Sequence, residues 1–282
     1  MGDAEKLNLV QRIHSGRPGV LQVEKKAYEL LLFCFPFLTI GILWETLVRF
    51  RVIDAQILPA PTMLFQEIYD LLLNKRILQF HIYHSLYRLC LGYLLAVVVG
   101  VAVGTVLALN RSLRDTFSPI LSLLISIPTI AWIPVLLITM GLGDLTVITA
   151  IFLGGVFEII YSSIVGMRSV NKQLINAARI MGVTELGLFF KVLLPGSLVA
   201  IMPALRLSVG YCWRALVGGE MLSAMIKWGL GKMIYEARFW NDVKVMIIGL
   251  AFIGIFGVIL DRLFLKPLEQ GTVEKWGMLT ER

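Results

Sequence analysis

"SVNKQLINAARIMGVTELGLFFKVLLPGS", Ser169 to Ser197, interrupts a chain that otherwise runs in long apolar blocks. Asn171 is suited to cap a helix start, and Lys172–Met181 then carries Leu174, Ala178 and Met181 on one helical face. Gly182 stands where a left-handed C-terminal cap is wanted. Thr184 can cap a second short helix whose first turn holds Glu185 and whose last holds Lys191, both signs matching the helix dipole. Pro195 fits the first turn of the helix that follows, where no backbone N–H is missed. Ala177 and Ala178 keep the surface low, so another backbone can approach closely. From periodicity alone the segment is either a docking element or an amphipathic linker lying on a membrane surface.

Outward from this stretch the composition sets the class. Of 282 residues, 57% are hydrophobic and only 16% charged, with a mean hydropathy of +0.81; soluble domains carry roughly a quarter of their residues as charges. The apolar residues fall into blocks of about 20, enough to cross a hydrocarbon core of about 30 Å. Six spans are expected: Ala27–Val48, Ser85–Leu109, Ser118–Met140, Leu145–Val165, Leu194–Leu216 and Val243–Phe264. Backbone groups in lipid must be paired and the blocks are too long for barrel strands, so the fold class is an all-α membrane protein.

The chain divides into a charged lead-in, 1–26, a membrane domain, 27–266, holding the polar loop 169–193, and a short tail, 267–282. The lead-in lacks the apolar middle and cleavage site of a signal peptide. With the N-terminus inside, inner segments hold fifteen Lys and Arg, and outer segments seven: Arg49, Arg51, Lys75, Arg76, Lys227, Lys232 and Arg238. That bias places both termini and the opening stretch in the cytoplasm. The net charge of +7 follows from this placement and calls for no nucleic acid. Cys34, Cys90 and Cys212 lie in apolar blocks without paired spacing and read as packing residues.

The spacing within the opening stretch carries a family pattern. "NAARIMG" followed by "VLLP", with Gly182 and Pro195 thirteen positions apart, resembles the Glu-Ala-Ala loop of ABC importer permeases. Ala177, Ala178, Gly182, Leu194 and Pro195 match, Val192 replaces Ile, and Asn176 replaces the Glu. "ILPAPTMLFQEIYDLL", "HSLYRLCLGYLLAVVVGVAVG", "SIPTIAWIPVLLITMGLGD", "GEMLSAMIKWGLGKMI" and "LDRLFLKPLEQGTVEKW" are similar, in order, to the nitrate/sulfonate/taurine/bicarbonate branch. The resemblance implies a type I ABC importer permease fold with six transmembrane helices and a cytoplasmic coupling-helix loop. It further implies residence in a bacterial or archaeal inner membrane among lipid, and a second permease copy, expected as a homodimer. ATPase subunits on the cytoplasmic face would bind ATP and Mg, and an extracytoplasmic binding protein would deliver a small anion. In that setting Asn176, Ala177, Ala178, Arg179, Gly182, Thr184, Glu185, Leu194 and Pro195 are the expected ATPase-coupling residues.

Residues that break the apolar pattern are the candidates for a translocation path. Pro128 and Pro134, with Trp132 between them, should bend or loosen the third span, which lets it line a path or simply improves packing. Gly100 and Gly104 form a small-xxx-small pair for close helix packing. Arg88, Arg206, Arg214 and Glu220 are expensive at membrane depth. Arg206 and Arg214 are separated by ~12 Å of rise and about 80° around one helix, so they can share a flank. Either they shape an electropositive route, or Arg206 pairs with a carboxylate such as Glu220 and holds the bundle.

Other signals fall short. "WGLGKM" lacks the spacing and the Ser or Thr of a phosphate loop, and "GLGDLT" lacks the third glycine of a dinucleotide fingerprint. His81 and His84 have no third ligand to complete a metal site. No catalytic constellation is legible, so the chain reads as a non-enzymatic translocation subunit with no cofactor of its own. The competing class, an ion-coupled carrier or channel without an ATPase, calls for intramembrane carboxylates.

Overall fold

The computed structural model describes residues 35–265 except Ala224. Expectations for 1–26, 267–282 and the first part of the Ala27–Val48 span lie outside those residues. The chain forms two compact units, one ending at Gln66 and the other beginning at Glu67.

In the first unit helix α1 (35–49) precedes α2 (Pro61–Tyr69), whose last residues cross the boundary. The Glu45 carboxylate accepts from the Thr62 N–H (3.1 Å) and hydroxyl (2.9 Å), so a side chain of α1 satisfies donors at the start of α2.

The second unit is a helical bundle: α3 (Ile77–Leu109), α4 (Arg111–Ser126), α5 (Ile133–Met140), α6 (Asp144–Ser169), α7 (Lys172–Ile180), α8 (Glu185–Leu188), α9 (Leu194–Leu222), α10 (Leu230–Phe239) and α11 (Val243–Ile259). Wide π turns lead into α9 (Phe189–Leu193) and extend α11 (Leu260–Leu265). Among the described residues four segments are long and apolar enough to span a membrane, Ile77–Leu109, Asp144–Ser169, Phe189–Leu222 and Val243–Arg262, and a fifth if a bent pair counts as one.

Glycines set how closely these helices approach. A Cβ on Gly92, Gly100 or Gly104 would stand 2.5–2.7 Å from Ile151, Ile159 or Ser163 of α6, so the expected small-residue stripe is a true contact face. Those pairs advance together along both chains, and α3 and α6 therefore run parallel. Gly155 meets Cys212, and Gly166 meets Ile201, which makes α9 antiparallel to α6.

Parallel α3 and α6 require residues 111–140 to return the chain to the other end of the bundle. The expected span Ser118–Met140 is sharply broken rather than one continuous helix. It is two helices, Arg111–Ser126 and Thr129–Met140, bent by 92°. Pro128 makes the break, with extended backbone (ψ 130°) ahead of a 3-10 turn, Thr129–Trp132. Pro134 bends nothing, because it lies in the first turn of α5, where a missing N–H costs no bond.

Candidate functional site

Residues 169–193 fold as the capped pair of helices that the opening stretch predicts. The Asn171 side chain accepts from the Gln173 N–H at 2.8 Å. At the other end Gly182 takes φ +75°, and bonds from Gly182 N–H to Arg179 O (3.0 Å) and Val183 N–H to Ala178 O (3.1 Å) complete a left-handed cap. The Thr184 hydroxyl accepts from Gly187 N–H at 3.2 Å, and Arg179 pairs with Glu185 at 3.3 Å across the turn.

Two details differ from expectation. Ala178 turns into a small core with Val170, Leu188 and Leu193, whereas Leu174, Ile180 and Met181 are 59%, 87% and 75% exposed. The apolar face is thus split: Ile175 and Ala178 hold the loop together, and Leu174, Ala177 and Met181 point outward with Asn176 beside them. Pro195 stands in the first turn of α9 as expected, but that helix continues from the turn before it rather than starting afresh. The π turn Phe189–Leu193 already has helical backbone at its junction with Leu194, so the loop and α9 form one continuous rod.

The ionisable residues separate into three settings. Arg88 and Glu220, 2% and 0% exposed as side chains, meet at 2.7 Å. Arg88 Nη1 also donates to Trp228 O (2.7 Å), and its Nε to Asp144 Oδ1 (2.9 Å). Glu220 accepts from the Ser85 hydroxyl (2.8 Å) and Gly231 N–H (2.9 Å). Ser85 Oγ in turn accepts from Leu230 N–H (2.8 Å), and His81 Nδ1 lies 2.7 Å from Gly229 O. This knot fastens α3, α6, α9 and the 228–231 turn. Glu220 belongs to it. Its counter-charge is Arg88 rather than Arg206.

Arg206 instead forks onto Asp261, with Nε to Oδ1 at 2.7 Å and Nη2 to Oδ2 at 2.8 Å, joining α9 to the end of α11. Both side chains are partly exposed, 33% and 44%.

Arg214 has a different environment. Its guanidinium lies 5.3 Å over the Tyr211 ring and lines a cavity of about 430 Å3 at the Pro128 break, together with Thr129, Trp132 and Glu158. Pro128, Trp132 and Arg214 are thereby brought together, whereas Pro134, Arg206 and Glu220 lie elsewhere. Glu158 was missed by the sequence reading. Its signal was available, since it is the one charged residue inside the expected span Leu145–Val165.

A bundle of membrane-length helices with a broken one beside a largely apolar cavity and a capped two-helix loop is the architecture of a multi-pass membrane component. The chain belongs to the family described as binding-protein-dependent transport system inner membrane component, whose profile matches residues 96–265. Among curated relatives, the nitrate import permease protein NrtB of Synechocystis is 31% identical over 75% of this chain and 79% of its own length. The bicarbonate transport system permease protein CmpB of Synechococcus elongatus is 29% identical over 89% and 93%. Among solved structures, the MetNI methionine ABC transporter in an inward-facing conformation aligns with a TM-score of 0.60 and 23% identity. It covers 70% of this chain and 96% of that one, a shared fold. As a family member the chain is an ABC importer permease, the non-catalytic membrane component, and ATP hydrolysis belongs to a partner subunit.

Proposed function

We propose that this permease moves a small oxyanion-bearing solute, of the nitrate, bicarbonate, taurine or alkanesulfonate class, across the inner membrane by alternating access. The substrate class is supported by the nitrate and bicarbonate permeases among its relatives. In this reading six helices span the membrane, Ala27–Val48 first among them, and both termini lie in the cytoplasm. Two copies pair as a homodimer within the lipid.

The observation that carries the coupling mechanism is the exposed apolar face of α7 on a segment continuous with α9. Leu174, Ala177, Ile180 and Met181 are too apolar to be left in water, and Ala177 admits a close neighbour. An ATPase surface is the occupant, and the unbroken rod from Phe189 to Leu222 carries its displacement into the bundle. Pro128, Trp132 and Arg214 line the route, with Arg206 and Pro134 in supporting positions.

The test is Gly182→Asp, which puts a charge beside the apolar face and a side chain at φ +75°. The variant should insert at wild-type level but lose its ATPase on purification, or hydrolyse ATP without uptake. Wild-type coupling in Gly182→Asp would remove the docking assignment. Reporter fusions at each terminus check the orientation independently.

A further inference from the structure

The turn that closes α1 carries an arginine where glycine is the usual residue. Arg51 N–H bonds to Val48 O and Val52 N–H to Leu47 O, each at 3.0 Å, the paired bonds of a left-handed helix end. Arg51 takes φ +56° there, a conformation costly for any side chain and held where that side chain is used. Beside it a cavity of about 610 Å3 opens between α1, the turn that follows and the start of α2, with Glu45, Arg49, Arg51, Asp54 and Thr62 in its lining. Two of these charges are spent on each other, since Glu45 pairs with Arg49 at 2.7 Å and accepts from Thr62. The other two are left over. Among the described residues Arg51 makes no ion pair or side-chain hydrogen bond, and the Asp54 carboxylate accepts one bond, from the Gln56 N–H (2.9 Å).

The surroundings fit the surface of a bilayer. From Phe35 to Trp44 α1 carries no charge, and then Glu45, Arg49 and Arg51 follow in quick succession, the pattern of a helix passing from hydrocarbon to headgroups. Phe50, Val52 and Ile57 are 80%, 69% and 73% exposed, an apolar rim that acyl chains would cover. The four charges in the lining cancel, so a net anion gains little from the cavity as a whole. A headgroup with both a phosphate and an ammonium matches the two unspent groups, and the volume admits it. We infer that this cavity binds an outer-leaflet phospholipid with a phosphoethanolamine headgroup, its phosphate on Arg51 and its ammonium on Asp54. The acyl chains run down the exposed apolar side of α1. This rests on the reading of Ala27–Val48 as a membrane span with Arg49 and Arg51 on the outer side.

The test is native mass spectrometry of the permease assembled with its ATPase subunits, delipidated in detergent. It is titrated with dioleoylphosphatidylethanolamine, with dioleoylphosphatidylglycerol, which lacks the ammonium, and with inorganic phosphate. Wild type should retain one ethanolamine lipid per permease chain, with an affinity about tenfold above that for the glycerol lipid. Asp54→Asn should erase that preference. Arg51→Gly suits the left-handed turn and so keeps the fold, yet it should weaken ethanolamine-lipid binding by about tenfold. Wild-type retention in Arg51→Gly, equal retention of the two lipids, or a preference that survives Asp54→Asn overturns the proposal. So does displacement of the lipid by inorganic phosphate, which would mark a site for a soluble anion. The span itself is checked by Gln56→Cys, labelled in intact cells with a membrane-impermeant maleimide and compared with the unsubstituted chain. Labelling without a lipid preference sinks only the lipid site, whereas labelling that needs a permeabilised membrane puts the turn inside and sinks the placement of the span as well.

Discussion

Two arginines at membrane depth, Arg88 and Arg214, have opposite surroundings. Arg88 is enclosed by Glu220, Asp144 and the Trp228 carbonyl, and Glu220 is held in turn by Ser85 and Gly231. Arg214 rests on a tyrosine ring beside a cavity and a carboxylate it does not reach. Arg88 is buried and its charge is tolerated because it is paired, whereas Arg214 is exposed beside the cavity and carries no such burial cost. The lesson is that an intramembrane charge is assigned by its partners rather than by its presence.

The strongest way to break this contrast is Arg88→Met. It leaves Glu220 buried without its counter-charge, a loss expected to cost about 3–5 kcal/mol. The permease should fail to accumulate in membranes, or unfold at much lower temperature in detergent. Adding Glu220→Gln to Arg88→Met should recover part of the loss, since the stranded charge is then gone. Next in size is Gly229→Ala. A Cβ there would stand 2.5–2.7 Å from the Glu220 carboxyl atoms, and overpacking of this kind costs about 1–3 kcal/mol. A melting temperature equal to wild type would mean the knot is looser than its distances indicate.

Much of this arrangement was legible beforehand. The capped two-helix form of residues 169–193 was readable because caps and left-handed turns depend on local chemistry: Asn171, Gly182 and Thr184 each act within three positions of themselves. Close packing at Gly100 and Gly104 was readable for a similar reason, since only small residues permit it. What escaped was everything set by distant pairing. Nothing near Arg206 in sequence points to Asp261, fifty-five positions away, and Glu220 finds Arg88 across 132. The Pro128 break was anticipated as a bend, but its 92° angle depends on how α4 and α5 each pack against α6, Leu121 beside Ile159 and Ile133 beside Ala150. The expected face Leu174–Ala178–Met181 failed because helical spacing cannot say which part of a broad apolar stripe a two-helix loop uses for its own core.

Arg206 with Asp261 lies between the two extremes, paired but partly exposed. A cycle of Arg206→Gln, Asp261→Asn and the double variant should give a coupling of about 0.5–1 kcal/mol, as for a pair that solvent still reaches. Uptake should stay near wild type in Arg206→Lys and Arg206→Gln at matched membrane level. A large uptake loss without a stability loss would move Arg206 from brace to path.

The smallest effect on stability, and the sharpest test of the contrast, belongs to Arg214→Gln. Its guanidinium forms no ion pair, so thermal stability should shift by no more than about 0.5 kcal/mol, against several for Arg88. Uptake should nevertheless fall severalfold, because the lost charge faced the solute rather than the protein. Substrate concentration separates the causes: a lost binding contact raises KM, while a gating defect lowers the maximal rate. If Arg214→Gln melts early and its transport scales only with the protein that survives, Arg214 is a structural charge like Arg88. The cavity would then be a packing gap beside a kinked helix.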